Sequence, residues 1–298
     1  MDPKPHKTYE EQLALLQERG MVIEDDTAAL ALLERVGYYT LSGYSFPFRL
    51  KNLDGSRSSR FRPGTKLSQI QSLWEFDNRL RAATFAAIQP VETYLRALLA
   101  YELGAVNPLI HQQPDFLTID KGVSYDRWLK KLENQIQDSR EEFIVHHREA
   151  RSGIIPIWVA TEVLDWGGLS YLYSLSPPKI RTKIASRFDL SAPQLKSWFR
   201  ALNVVRNVCA HHSRFFNRYY SLKPKLPALG QDESLDALRR LQGTTFSMLT
   251  LIQHLGSQTL GFNSRILTVT VRSFPEPSGL NIGALGAPRN WEELPLWK

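Results

Sequence analysis

Apolar residues recur at intervals of three and four along most of the chain, which is the spacing of amphipathic helices. The longest stripe runs from about Lys66 to Glu102, and Pro90 within it is expected to kink or divide the helix. A second strong stripe follows Ser191, which is a good N-cap. Similar spacing and capping residues predict further helices over residues 8–20, 26–36, 124–138, 140–150, 155–166, 178–187 and 234–255.

Two segments interrupt this helical pattern. Residues 37–48 are aromatic and broken by glycine and proline, so we expect an irregular segment. It would form either an aromatic plug on the core or a surface on which bases stack. Residues 49–64 are basic and contain two turn signals, which predict a small hairpin.

The end of the chain is harder to assign from local pattern. Residues 265–271 have local β-propensity, but the helical surroundings favour a helix. The last segment is rich in proline and glycine and carries Trp291 and Trp297. We expect these two aromatic side chains to dock the tail on the body of the protein.

Candidate chemistry is concentrated in the helix that follows Ser191. Asn203, Asn207 and His211 are four residues apart, so they form one polar row. Arg206 lies about 100° around the helix from Asn207. The polar and basic run continues through His212, Arg214, Asn217 and Arg218.

The charge balance favours an anionic partner for this run. The chain has 37 Lys and Arg against 30 Asp and Glu, a net charge of +7, although a charge of this size also serves solubility alone. No acid occurs from residue 190 to 231, which suits an anion such as phosphate. A single cysteine fits a reducing cytoplasm, and no apolar run suits a membrane helix or signal peptide. We therefore expect a cytoplasmic protein without a membrane partner.

Residues Arg206 to His211 fit the R-x4-H signature of HEPN domains, with a polar residue directly after the arginine. The wider block from residue 197 to 218 resembles the abortive-infection (Abi) family of bacterial phage-resistance proteins. The signature alone is weak, but the ordered set of similar blocks is specific and covers nearly the whole chain. The other blocks are residues 37–48, 73–81 with 91–99, 155–173 and 284–297.

This resemblance implies a mainly α-helical, HEPN-like bundle with helical additions, in which one small hairpin is allowed. The whole chain, residues 1–298, would form a single domain. Its parts would be N-terminal helices and a basic loop (1–64), a HEPN-like core (about 65–222), and C-terminal helices with a docked tail (223–298).

The resemblance further implies a metal-independent endoribonuclease of phage defence, toxic when released, which uses the 2′-hydroxyl of RNA as nucleophile. His211 would act as general acid and base, Arg206 would stabilise the transition state, and Asn207 would position the phosphate or the imidazole. His212 is the alternative catalytic histidine. The remaining accessory candidates are Asn203, Glu92 and Arg96, and the candidates for RNA contacts are Arg214, Asn217, Arg218, Arg57 and Arg60.

Glu92 and Arg96 allow two interpretations. They are four residues apart on the long predicted helix, so they could form a simple surface ion pair. Alternatively, an acid on a neighbouring helix could orient Arg206.

The spacing of Arg206 and His211 bears on oligomeric state. They project about 140° apart on an ideal helix, so one helix does not easily focus both on one phosphate. HEPN nucleases are dimers with the site at the shared interface, so the resemblance implies a homodimer with a composite site. An RNA or protein antitoxin is expected by analogy with toxins of this class.

No cofactor or metal is expected. His146 and His147 are adjacent, so they point about 100° apart on a helix, and no matching ligand set accompanies them. The chain has neither a P-loop nor a paired-carboxylate site, which leaves a nucleotide-modifying enzyme with little support. A non-catalytic RNA-binding module of a defence complex, a protein-interaction role, and a purely structural role for Arg206, Asn207 and His211 stay open.

Overall fold

The computed structural model describes residues 5–119, 124–276 and 279–298, and this part of the chain is mainly α-helical, as predicted. The strands β1 (Arg49–Lys51) and β2 (Arg57–Phe61) pair antiparallel as the expected hairpin. The helices are α1 (Tyr9–Glu18), α2 (Asp26–Val36), α3 (Tyr38–Ser45), α4 (Leu67–Gly104), α5 (Tyr125–Asp138), α6 (Glu142–Ala150), α7 (Ile157–Ala160), α8 (Trp166–Leu175), α9 (Pro178–Ala185), α10 (Ala192–Ala210), α11 (Glu233–Asp236), α12 (Thr245–Ser257) and α13 (Arg265–Arg272).

The helix α4 is the central element. Its 38 residues span about 57 Å at roughly 1.5 Å per residue. It contacts α3, α7, α8, α10, α12 and α13, and its inward stripe is fully buried. Pro90 lies inside this helix and does not divide it, so the expected division is wrong. Packing on several sides of α4 outweighs the hydrogen bond that proline removes.

The segment predicted to be irregular is also different in the structure. Residues Tyr38–Ser45 form the helix α3, followed by a 3-10 turn at Phe46–Phe48. The helix buries Leu41 and Tyr44 against the core, and Tyr44 donates a hydrogen bond from its hydroxyl to Asp77 at 2.6 Å. These tertiary contacts override the weak local helix propensity of an aromatic and glycine-containing segment.

The predicted helix over 155–166 is shorter and ends earlier than expected. After α7, a 3-10 turn ends at Val163, and Asp165 then caps a new helix, α8. The Asp165 carboxylate accepts a hydrogen bond from the Gly168 amide at 2.6 Å. Gly167 and Gly168 therefore lie in the first turn of α8.

The predicted helix over 234–255 is interrupted in the structure. The short α11 and a 3-10 turn precede Gly243, and α12 begins only at Thr245. Gly243 has φ +85°, and a Cβ there would approach the Tyr220 carbonyl oxygen to 2.6 Å. A backbone that only glycine tolerates thus separates the two helices.

Buried apolar side chains from Leu13 to Trp297 form one continuous core. The tail docks through its tryptophans, as predicted: Trp297 stacks on Phe246 with ring centroids 4.7 Å apart and donates from Nε1 to Thr250 Oγ1 at 3.1 Å. Residues 265–271 lie in the helix α13, so the structure agrees with the helical interpretation and not with a strand. The three-part division into 1–64, 65–222 and 223–298 stays a prediction. None of the described helices combines the length and the apolarity needed to cross a bilayer.

Candidate functional site at the end of α10

The helix α10 begins and ends where the sequence signals it. Ser191 donates from its amide and its hydroxyl to Gln194 Oε1, at 2.7 and 2.8 Å, which closes the first turn. Its apolar face is buried against α4 and α8. The helix ends at Ala210, where the His211 amide still donates to the Asn207 carbonyl at 2.9 Å.

The chain reverses directly after this helix. His212 has φ +53°, a left-handed conformation typical of the residue after a helix. The Ser213 amide then donates to the Val208 carbonyl at 3.0 Å. Both His211 and His212 are exposed at the C-terminal end of the helix.

Arg206 lies in a groove of about 440 Å³ between α10 and α4. Its guanidinium carbon lies 5.6 Å from the centroid of the Phe85 ring, a cation–π contact. Its Nε lies 4.0 Å from Glu92 Oε2 and, although buried, forms no hydrogen bond within the described part of the chain. This donor is therefore not satisfied by the protein itself, which is uncommon for a buried polar atom.

Arg96 fixes the acid that faces Arg206. Its Nη2 donates to Glu92 Oε1 at 3.1 Å and to the Leu164 carbonyl at 3.1 Å, and its Nη1 donates to the Glu162 carbonyl at 3.0 Å. The Glu92 and Arg96 side chains are largely buried, so this is not an exposed surface pair. Glu92 thus lies between Arg96 and Arg206, and whether it orients Arg206 stays a prediction.

The groove carries more negative charge than the acid-free stretch around Arg206 suggests. Glu92 and Glu162 line it from other elements. Asp165 is also close enough to Arg206 for the guanidinium to affect its pKa. Burial opposes ionisation of this carboxyl group, but the Gly168 amide, the Lys131 ammonium and Arg206 together lower its pKa. Arg206 therefore belongs to a mixed-charge environment. The sequence could not show this, because these acids lie far from residue 206 in the chain.

Asn203 and Asn207 are half-buried on the same side of α10. A Cβ placed on Gly167 would lie 3.6 Å from both amide atoms of Asn203, so this side chain packs against the first turn of α8. Arg206 thus faces α4, and Asn203 faces the first turn of α8. His211 and His212 instead lie at the exposed end of the helix.

A buried acid that the sequence analysis did not single out holds the segment after α10. The Asp77 carboxylate on α4 accepts from the Phe216 amide at 2.6 Å, the Phe215 amide at 3.0 Å, the Tyr44 hydroxyl at 2.6 Å and Arg81 Nη1 at 2.5 Å. It joins α3, α4 and the residues that follow the histidines. Burial raises the pKa of Asp77, whereas the Arg81 guanidinium and the other donors favour its ionised form.

The available signal for Asp77 was its surroundings in the sequence. It follows Phe76, precedes Leu80 in a stripe of buried positions, and has Arg81 four residues later. An acid within an apolar stripe is almost never fully buried unless it is paired. Three of the blocks quoted above, residues 37–48, 73–81 and 197–218, meet at this carboxylate.

The residues predicted to contact RNA do not all lie at the Arg206 groove. Arg214 donates from Nη1 to the Gly43 carbonyl of α3 at 3.1 Å. Arg57 donates from Nη1 to the Pro47 carbonyl, within the 3-10 turn after α3, at 3.2 Å and to the Arg49 carbonyl, just after that turn, at 2.7 Å. Arg218 lies 5.7 Å from the ring of Tyr220, and both Asn217 and Arg60 are exposed.

No group of three or more His, Cys, Asp or Glu side chains arranged for a metal ion occurs in residues 5–119, 124–276 and 279–298. In comparisons with known proteins, the model of the Abi-like protein family matches residues 31–217, more than half of the chain. The matched range runs from α2 to just beyond His211 and His212. No curated protein and no solved structure matches the chain.

Proposed function

Because the chain belongs to the Abi-like protein family, which associates it with abortive infection and phage defence, we propose that it is an endoribonuclease of that defence. The family alone gives only a weak indication of nuclease activity. The observation that supports the proposal most is the combination of a buried, unsatisfied Arg206 Nε with an exposed histidine at the end of the same helix.

The proposed reaction is transesterification within the RNA itself. The 2′-hydroxyl oxygen attacks the adjacent phosphorus, the bond from phosphorus to the 5′ oxygen breaks, and the products are a 2′,3′-cyclic phosphate and a 5′-hydroxyl. His211 moves the proton from the 2′-hydroxyl or to the leaving oxygen, for which an imidazole is suited near neutral pH. Arg206 donates hydrogen bonds to the phosphorane as its charge develops. Asn207 positions the phosphate or the ring, and no step requires a metal.

Glu92 and Arg96 take positioning roles in this proposal. Glu92 holds the guanidinium of Arg206 toward the groove, and Arg96 holds Glu92 against the turn before α8. Side chains locked in this way keep a reactive group close to its productive geometry. Asn203 has a supporting role, because it packs on Gly167 in the first turn of α8.

We further propose that two copies of the chain complete each site. Within one copy, Arg206 faces the α4 groove, whereas His211 is exposed past the helix end. In a two-fold dimer, Arg206 of one copy could meet His211 of the other, and each dimer would then hold two equivalent sites. Sedimentation of the purified protein should show a dimer, and a monomer with full activity would contradict this arrangement.

The experiment that tests the function is cleavage of total cellular RNA by the purified protein in EDTA. We expect cleavage with cyclic phosphate ends, and its loss in Arg206→Ala and in His211→Ala. Arg200→Ala and His146→Ala are matched controls, since both residues are exposed and Arg200 lies on the same helix. Both controls should retain activity.

Other outcomes would change the assignment. Loss of cleavage in His212→Ala with retention in His211→Ala would move the catalytic role to His212. Intact RNA held in a stable complex, unaffected by His211→Ala, would favour a non-catalytic RNA-binding module. In that case the endoribonuclease proposal would be wrong.

A further inference from the structure

Two aromatic rings face solvent on one side of α3 and the turn that follows it. Tyr39 is 77% exposed and Phe46 is 48% exposed. They are separated by seven residues, with Gly43 between them, so all three positions lie on about the same face of the helix. The opposite face of α3 is buried through Leu41 and Tyr44. The exposed rings are therefore a separate feature from the aromatic residues that pack on the core.

Arginine side chains lie between and beside these rings. Arg214 crosses Gly43, where a Cβ would meet its Cδ at 3.4 Å and its Nε at 3.6 Å, so glycine permits this close approach. The guanidinium carbons of Arg49 and Arg57 each lie 5.8 Å from the centroid of the Phe46 ring. Rings and guanidinium groups thus alternate along a surface that we call the α3 ridge, defined by Tyr39, Phe46, Arg49, Arg57 and Arg214.

All residues of the ridge except Arg57 lie in two segments without an acid, and Arg57 follows Asp54 on the hairpin. No acid occurs from residue 35 to 53 or from residue 190 to 231. The acid that does contact α3, Asp77, is fully buried and paired with Arg81. Arg49 Nε forms no hydrogen bond with the described residues. The charge of this surface is therefore complementary to a polyanion.

We propose that the α3 ridge binds single-stranded RNA, with unpaired bases stacked on Tyr39 and Phe46 and phosphates contacting the arginines. Alternation of exposed aromatic rings with positive charge is the chemistry of single-strand binding, because every base has a face that can stack. A duplex fits poorly, since its bases are already stacked on one another.

The ridge is connected to the proposed site. Arg214 is three residues after His211, so their Cα atoms are at most about 11 Å apart. Asp77 fixes the intervening segment by accepting from the Phe215 and Phe216 amides. A strand on the ridge would thus be held beside the catalytic histidine. This inference rests on the proposed function in taking RNA as the ligand.

The test measures binding, in His211→Ala protein so that the RNA stays intact. The probes are a fluorescent oligouridylate, which forms no stable internal pairs, and a blunt RNA duplex of the same length. We expect the oligouridylate to bind more tightly, and Tyr39→Ala and Phe46→Ala each to weaken its binding about tenfold. Tyr39→Phe keeps the ring and should bind like the parent protein. Tyr101→Ala, which removes a tyrosine that is 73% exposed on α4, is the matched control and should have no effect.

Unchanged oligouridylate affinity in Tyr39→Ala and Phe46→Ala, with unchanged circular dichroism, would overturn the inference. Equal affinity for the duplex would also overturn it, because binding would then depend on phosphate charge and not on bases stacked on the rings. The experiments distinguish failure of the ridge proposal from failure of the nuclease proposal. If the wild-type protein cuts no RNA but binding depends on Tyr39, the ridge stands without the nuclease. If cleavage occurs and the ring variants bind and cut normally, the nuclease stands without the ridge.

Discussion

Replacing Asp77 by alanine removes the carboxylate that neutralises Arg81 inside the core and accepts hydrogen bonds from the amides of Phe215 and Phe216. The Arg81 side chain is only 7% exposed, so its charge would stay buried without a partner. Breaking a buried pair in this way costs about 3–5 kcal/mol. Each amide left without an acceptor costs roughly another 1–3 kcal/mol unless the segment opens to water.

Since a protein of this kind is stable by about 5–15 kcal/mol, we expect Asp77→Ala to lose at least a third of its free energy of unfolding. The assay is equilibrium urea unfolding at neutral pH, followed by circular dichroism and by tryptophan fluorescence. Hydrogen exchange should also show faster exchange of the Phe215 and Phe216 amides. The matched control is Arg272→Ala, which breaks the exposed Arg272–Glu292 pair and should cost less than about 1 kcal/mol.

The double variant Asp77→Ala with Arg81→Leu separates the two contributions. It removes the stranded charge, so it should be more stable than Asp77→Ala alone by about 0.5–3 kcal/mol. A loss in Asp77→Ala no greater than in Arg272→Ala would refute the claim that Asp77 holds α3, α4 and the segment after α10 together.

Three further predictions follow from other sites. His111 is buried without a hydrogen-bond partner for either ring nitrogen among the described residues, and burial lowers its pKa to about 4. His111 takes up a proton near pH 6.5 in the unfolded chain but only near pH 4 in the folded one. The free energy of unfolding should therefore fall by up to about 3 kcal/mol as the pH drops from 6.5 to 4, and a His111→Leu variant should not show this part of the pH dependence in acid titration. Trp297→Ala should lower the free energy of unfolding by about 3–5 kcal/mol in urea, and the exposed Trp158→Ala should not. If the nuclease proposal holds, Glu92→Gln should reduce kcat about tenfold with RNA binding retained, and an equal loss of binding would contradict a positioning role.

Much of the fold follows from local signals that the sequence states clearly. The capping box at Thr8, the glycine at position 37 and the N-cap at Ser191 mark helix ends that the structure has in the same places. In each case a short-range hydrogen bond or a backbone conformation decides the boundary, and such effects are legible from a few adjacent residues.

The sequence-based predictions are wrong where contacts between residues far apart in the chain determine the local structure. The helix α3 has poor local propensity, and its stability comes from Tyr44 bonded to Asp77, a residue 33 positions away. Gly243 ends a helical stripe because Tyr220 lies against it. Pro90 is tolerated because α4 is packed on several sides. None of these partners is adjacent in the sequence.

The candidate site could likewise be predicted only in part from the sequence. The order of Arg206, Asn207 and His211 along one stretch was readable, and Glu92 as a partner for Arg206 was one of two interpretations that the sequence left open. The bonds from the Phe215 and Phe216 amides to Asp77 and the contact of Arg206 with the Phe85 ring were not readable, because these residues are far apart in the sequence and meet only in the folded protein. The catalytic roles themselves stay predictions.

The most direct test of the central claim uses mixed dimers with two different affinity tags, purified through both tags. One mixed dimer pairs an Arg206→Ala copy with a His211→Ala copy, and the other pairs a wild-type copy with the Arg206→Ala, His211→Ala double variant. If Arg206 of one copy works with His211 of the other, the first dimer retains one intact site of two, about half of the wild-type cleavage rate, and the second retains none. An inactive first dimer with a half-active second one would place both residues of a site in the same copy. Inactivity of both, beside an active wild-type dimer, would contradict the assignment of one Arg206 and one His211 to each site.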